Sequence, residues 1–230
     1  MNKEKQPSII IFYGLPGSGK GTQAERASDY FGFKHFNTGW LIEKAINDPK
    51  NQNDPIIQRE KKLFDEGTLC TPEWVAELVK KAIVDLHSQK SGIIFSGSPR
   101  TLYEVKEIMP LMEELYGREN IYIMEIKIKP ETTIFRNSNR KICEKCSKPL
   151  IYTPETKNLT ECPLCGGKLI TRTLDAPEAI KVRIKEYTER TAPVFDFLKQ
   201  NNYKITEIDG ELTPDEVAEN ILRELDNKLE

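Results

Sequence analysis

The run Gly14-Leu15-Pro16-Gly17-Ser18-Gly19-Lys20-Gly21-Thr22 sets closely spaced glycines beside a lysine and two hydroxyl residues, a set of side chains suited to holding phosphate. Glycines let successive backbone N–H groups turn inward around phosphate oxygens, and a helix starting there adds the positive end of its dipole. Lys20 supplies a charge that reaches the outer phosphates of a nucleoside triphosphate. Glycine-rich turns also join strands to helices for steric reasons alone. Here the apolar run Ile9-Ile10-Ile11-Phe12 precedes the loop and Gln23-Ala24-Glu25-Arg26-Ala27 follows it, the strand–loop–helix context that a phosphate cradle needs.

A second constellation is made of thiols. Cys143-Glu144-Lys145-Cys146 and Cys162-Pro163-Leu164-Cys165 are two CxxC pairs with 15 residues between them, a spacing that brings four thiolates around one tetrahedral ion. Gly166-Gly167 supplies a tight turn after the second pair, and Lys145, Lys148 and Lys168 offset the negative charge of a four-thiolate zinc site. The competing explanations are disulfides, which a reducing compartment disfavours, and a redox CxxC, which has no need of a second pair. With four protein ligands no position is left for an activated water, so Cys143, Cys146, Cys162 and Cys165 are expected to hold a structural zinc. Cys70 stands alone and reads as an ordinary thiol.

The elements that must position these groups alternate as in an α/β protein. Strands are expected at 8–13, 34–36, 92–97, 121–128 and 203–208, and helices at 20–31, 39–47, 56–66, 72–89, 102–116, 130–141, 176–201 and 214–229. Strands separated by helices require crossovers, hence a parallel sheet with helices on both faces and a ligand at the C-terminal strand ends. The polar stretch 47–55 and the cysteine segment 142–172 interrupt this alternation. With 230 residues the chain can bury a substantial core, and a net charge of −2 gives no global basic field for nucleic acid. Apolar runs are too short to span a membrane, and no apolar leader precedes the first strand, so a cytoplasmic protein is the expectation.

Taken together these residues resemble the adenylate kinase family in its long form with a zinc-bearing lid. The resemblance runs from the glycine loop to Ile208-Asp209-Gly210. Gly21 between Lys20 and Thr22 narrows it further, since nucleoside monophosphate kinases share that insertion. It implies a P-loop NTPase core with a five-stranded parallel sheet at 1–37, 69–136 and 173–230, a helical insertion for the acceptor nucleotide at 38–68, and a lid at 137–172. Such enzymes move the γ-phosphoryl of Mg²⁺-bound ATP to a nucleoside monophosphate, with AMP the expected acceptor and a monomer the expected state. On the same ground Gly17, Ser18, Gly19, Lys20, Gly21, Thr22, Arg136 and Arg140 are expected to bind ATP. Thr38, Gly97, Arg100, Glu104, Arg172 and Arg183 would bind the acceptor, and Lys20, Arg100, Arg136, Arg172 and Arg183 would carry the transfer. An arbitrary arginine is usually a solvated surface charge; six cations at motif positions are not arbitrary.

Departures concentrate on the acceptor side. The family's Thr-Gly-Asp-x-Leu-Arg motif reads Thr38-Gly39-Trp40-Leu41-Ile42-Glu43, with a carboxylate in place of an arginine, which would repel an acceptor phosphate unless Lys44, Arg59 or another cation intervenes. Its Asp-Gly-Phe-Pro-Arg-Thr motif reads Ser96-Gly97-Ser98-Pro99-Arg100-Thr101, and Ser96 replaces an aspartate that helps hold hydrated magnesium. Glu104 stands where a glutamine reads adenine; it is either an acceptor for guanine N–H groups or a solvated helix residue. Two functions follow: an active monophosphate kinase, or an ATP-binding relative without transfer that senses nucleotides or binds a partner. A zinc-ribbon nucleic-acid binder is disfavoured by the kinase-like framework and the charge.

Overall fold

Strand β1 (Ile9–Tyr13) is buried along its whole length, which explains why its sequence is continuously apolar rather than alternating: both of its faces are covered. It is central in a five-stranded sheet whose other members are β2 (Lys34–Phe36), β3 (Ile93–Phe95), β4 (Ile121–Lys127) and β8 (Ile205–Asp209), in the order β2-β3-β1-β4-β8. Every pairing is parallel, with Ile9 opposite Ile93 on one side and Ile121 on the other. The structure, a computed structural model, describes residues 6–229. The core segments expected at 1–37 and 173–230 extend into residues 1–5 and 230, which lie outside the described residues.

Successive strand residues point to opposite faces and so feed two cores. Ile9, Ile11, Phe95 and Ile123 pack with helices α4 (Pro72–Ser88), α5 (Leu102–Tyr116) and α8 (Ala192–Gln200). Ile10, Phe12, Ile94, Met124 and Ile126 pack with α1 (Lys20–Phe31) and α9 (Pro214–Leu229). Because β1 lies between β3 and β4, the chain turns to opposite sides of it, and the crevice at its C-terminal end opens where the glycine loop begins.

Two excursions leave this layer. After β2, Asn37 caps α2 (Thr38–Ile46) by accepting from the Trp40 N–H, a 3₁₀ turn covers Pro49–Asn51, and α3 (Pro55–Asp65) returns to the core. After β4, α6 (Pro130–Ser138) stops short of the expected end at 141, because Lys141 already belongs to β5 (Lys141–Cys143). That strand pairs antiparallel with β6 (Pro149–Leu150) and β7 (Leu169–Ile170), a small sheet that two-residue strands do not announce in sequence. The helix expected over 176–201 is α7 (Pro177–Glu186), one π turn over Tyr187–Thr191, and α8. Pro193 lacks an N–H and its ring would meet the carbonyl one turn back, so the wider turn, with the Ala192 N–H donating to the Tyr187 carbonyl, relieves the conflict.

Candidate active site

A cleft of about 1190 Å³ opens between the sheet, the α2–α3 excursion and the cysteine segment. A pocket for one small ligand occupies roughly 300–1,000 Å³, so this volume suits two bound molecules side by side. At its floor the glycine loop crosses from β1 to α1. Gly14 has φ 143°, and a Cβ there would stand 2.4 Å from the Ile126 carbonyl oxygen, so only glycine allows this approach. Gly19 (φ 95°) begins the helix, while Gly19 and Gly21 have open space where a side chain would be. Gly17 lies against Asn137, a fully buried residue of α6.

Lys20 folds into the loop, donating to the carbonyls of Gly14 at 2.6 Å and Leu15 at 2.8 Å. Burial holds its ammonium well below the ordinary lysine range, and the charges of Arg100, Arg183 and Arg140 depress it further. Two of the arginines around it, Arg140 and Arg183, share one counter-ion, the buried Asp175. Arg140 Nε donates to Asp175 Oδ2 at 2.9 Å and its Nη2 reaches Oδ1, while Arg183 Nη1 meets Oδ1 at 3.3 Å and the Leu174 carbonyl at 3.2 Å. Arg183 is pushed below the usual guanidinium range by burial and then by Arg140. The guanidinium groups of Arg100 and Arg172 have no hydrogen-bond or ion-pair partner among the described residues, and burial lowers both. Arg136 reaches across to the Gly210 carbonyl at 2.9 Å, beside Phe135 and Tyr152, whose rings meet edge to face with centroids 5.7 Å apart. Lys20, Arg100, Arg136, Arg140, Arg172 and Arg183 all line the one cleft.

Just beyond β3 the glycine at 97 has a clear steric purpose. A Cβ there would stand 3.1 Å from Thr38 Cβ and 3.4 Å from Arg100 Nη2, so its absence leaves room for both side chains beside this stretch of backbone. Thr38 is buried with its hydroxyl unpartnered in the cleft wall, a group that a ligand would satisfy. Ser96, in the aspartate position, shares a hydrogen bond at 2.8 Å with His35 Nε2, and the His35 ring lies 5.5 Å from that of Trp40, itself 49% exposed. Glu43 is exposed and lines the cleft, where its charge is felt by Arg172. Lys44 lines it too. Arg59 does not line it and is paired with Glu60, with Arg59 Nε donating at 2.8 Å. Glu104 is no solvated helix residue. It is 2% exposed, and its carboxylate accepts from the Arg100 N–H at 2.9 Å and from the hydroxyls of Thr101 at 3.0 Å and Ser98 at 3.3 Å.

The four cysteine sulfurs lie within 4.8 Å of one another, with Cys143 to Cys165 at 3.4 Å and Cys146 to Cys162 at 3.8 Å. Ligands about 2.3 Å from a tetrahedral zinc stand about 3.8 Å apart, so the donor set fits that ion. The knuckle also reaches the cleft. Cys146, Ser147 and Lys148 line it, and Lys148 Nζ meets Glu25 of α1 at 2.6 Å.

Several contacts of the site are not legible in the sequence. Leu174-Asp175 stands where the family's lid carries paired aspartates, but nothing assigned Asp175 to Arg140. Glu104 had a local signal: Thr101-x-x-Glu104 is the spacing of a capping box, and the Thr101 hydroxyl does accept from the Glu104 N–H at 3.2 Å. Asn137, Glu60 and Glu186 carried no local signal. Glu60 accepts from the Thr71 N–H at 2.7 Å and hydroxyl at 2.6 Å, and Glu186 from the Leu69 N–H at 2.9 Å, tying the end of the insertion to α4 and α7.

A family model described as Adenylate kinase matches residues 12–203. Among curated proteins, an adenylate kinase of Petrotoga mobilis is 33% identical over 218 residues, covering 93% of this chain and 97% of its own length. One from Caldicellulosiruptor saccharolyticus is 32% identical over 212 residues, covering 91% and 95%. Another, from Caldicellulosiruptor bescii, is 34% identical over 192 residues, covering 83% and 86%.

Proposed function

Because this chain belongs to the adenylate kinase family and is a nucleoside monophosphate kinase, we propose that its cleft passes the γ-phosphoryl of Mg²⁺-bound ATP to AMP, with the residue roles set out below. The observation that carries this assignment is the pair of unpartnered guanidiniums, Arg100 and Arg172, converging on Lys20 and Arg183 in one cleft. Cations crowded in this way are destabilised by one another and by burial, and a polyanion relieves both. Phosphoryl transfer needs just such positioned charge and little covalent chemistry.

ATP would lie with its phosphates on the backbone N–H groups of Gly17 to Thr22, and Lys20 would exchange its carbonyl partners for phosphate oxygens. Its base would lie beside Arg136, Phe135, Tyr152 and the loop at Gly210. AMP would lie against Thr38 and Gly97 with its phosphate on Arg100, between the two ends of the cleft. Arg140, Arg172 and Arg183 then face the transferring group, where negative charge spreads in the transition state. The Ser96 and Thr22 hydroxyls would bond waters of the magnesium. The four thiolates would hold one zinc that stiffens the small sheet β6-β5-β7, away from the reacting atoms. Segments 38–68 and 137–172 are proposed to close over the core at 1–37, 69–136 and 173–230 and exclude water. We propose a cytoplasmic monomer; among the described residues no helix is long and apolar enough to cross a membrane. No observation favours a nucleotide binder without transfer.

A coupled assay of ADP formation from Mg²⁺-bound ATP, with AMP, GMP, CMP, UMP and dAMP offered in turn, tests this. AMP-dependent turnover that disappears in Lys20→Met is expected. Absence of acceptor-dependent ADP with all five would refute it.

A further inference from the structure

We infer that Glu104 governs acceptor binding by holding the main chain of Arg100, and does not read the acceptor's base. Glu104 occupies the third position of α5, whose cap is Thr101. Its Oε2 accepts from the Arg100 N–H at 2.9 Å and the Ser98 hydroxyl at 3.3 Å, and its Oε1 accepts from the Thr101 hydroxyl at 3.0 Å. A carboxylate offers about four acceptor directions, and three are taken by the turn it closes. At 2% exposure the side chain has almost no surface to present to a base.

The same bonds fix the root of a side chain whose tip is free. Arg100 is gripped at its N–H, yet no guanidinium nitrogen of Arg100 lies within 4.0 Å of the Glu104 carboxylate or pairs with any other described residue, so its charge remains available for phosphate. Ser98 belongs to the same device: its hydroxyl is buried and spent on Glu104, which explains a small polar residue at that position. Holding the turn removes rotational freedom that Arg100 would otherwise lose on binding the acceptor, and such preorganisation strengthens binding without a new contact.

The inference rests on Arg100 as the ligand of the acceptor phosphate, and the test separates the two. Steady-state kinetics are measured for the wild type, Glu104→Ala, Glu104→Gln and Arg100→Ala, with competitive inhibition by ribose 5-phosphate, which has no base, and adenosine, which has no phosphate. Glu104→Ala is expected to raise the KM for AMP about tenfold, equivalent to ~1.4 kcal/mol, and to weaken ribose 5-phosphate by the same factor. Adenosine inhibition and the KM for ATP should stay within about twofold, and Glu104→Gln, which keeps one acceptor for the Arg100 N–H, should recover part of the loss. Loss of adenosine binding with unchanged ribose 5-phosphate binding would overturn the inference in favour of base reading. A fall in kcat alone, alongside a lower Tm, would overturn it in favour of a purely structural role. Unchanged AMP and ribose 5-phosphate binding in Arg100→Ala would overturn the assignment of Arg100 itself, and this inference with it.

Discussion

Asp175→Asn should destabilise the nucleotide-free protein far more than the nucleotide-bound one. The substitution keeps shape and removes a charge, so no cavity confuses the result. Asp175 has a fully buried side chain that serves Arg140 and Arg183 together, whose side chains are 22% and 21% exposed. Removing one partner of a buried ion pair costs about 3–5 kcal/mol, because the other charge is left uncompensated. Partial exposure of both arginines, and the water it admits, argues for the lower end, about 3 kcal/mol. Lys20 keeps the loss from being smaller, since its charge already opposes these arginines. For a chain of this size 1 kcal/mol moves Tm by about 2–4 °C, so a fall of about 6–12 °C is expected. A bisubstrate analogue with a polyphosphate linker brings compensating charge to the same arginines. The variant should therefore gain more from saturating analogue than the wild type, and the gap should shrink by more than half. Urea denaturation and calorimetry, each with and without the analogue, measure both numbers. A ligand-free gap below about 1 kcal/mol, or an equal gap in the two states, would refute the account of Asp175 as the resident stand-in for phosphate.

The other expectations concern separate parts of the molecule. Cys162→Ser should lower bound zinc from about one per chain to well below half and lower Tm, with the loss of kcat smaller than that in Lys20→Met, as metal analysis and calorimetry would show; full zinc content in the variant would contradict the four-thiolate site. Glu43→Arg should reduce the KM for AMP about tenfold, ~1.4 kcal/mol, with little effect on the KM for ATP, and a change within twofold would mean that Glu43 turns away from the acceptor phosphate. Glu60 is raised by burial but lowered more by the Thr71 donors and Arg59, so its folded pKa lies below 4.5. Its contribution is therefore present above pH 4.5 and lost as pH falls through the folded value, and Glu60→Gln should show a shallower loss of stability below pH 4.5 than the wild type; parallel acid curves would contradict this.

What was legible in the sequence was what is local in the chain. The glycine loop and the cysteine pairs are contiguous, and the chemistry of each depends on spacing alone. The continuous apolar run of β1 announced a strand, and the alternation of strands with helices announced parallel pairing with helices on both faces. Contacts between distant segments were not legible. The expected helix through Lys141 yields to a strand because Pro149–Leu150 and Leu169–Ile170 offer edges to pair with, and two residues carry no periodicity. Arg59 looked available until Glu60, its own neighbour, turned out to be fixed by Thr71 across the insertion's exit. Glu104 has a capping spacing visible in sequence, but that spacing does not say that its carboxylate also takes the Arg100 N–H, a bond set by the path of the turn before the helix.

The π turn at Tyr187–Thr191 makes the long helix after the lid an indexing shaft with two differently phased ends. Before it, Arg183 and Glu186 point to the cleft; after it, Val194, Phe195 and Leu198 point to the core. One residue advances an α-helix by about 100°, so the wide turn sets the angle between these two faces. Deleting one residue there would give a more regular helix and a worse protein, with either the arginine or the apolar stripe rotated out of place. Local regularity and global fitness are opposed at that turn, so the irregularity is the part of the helix least open to correction by the ordinary rules of helix stability.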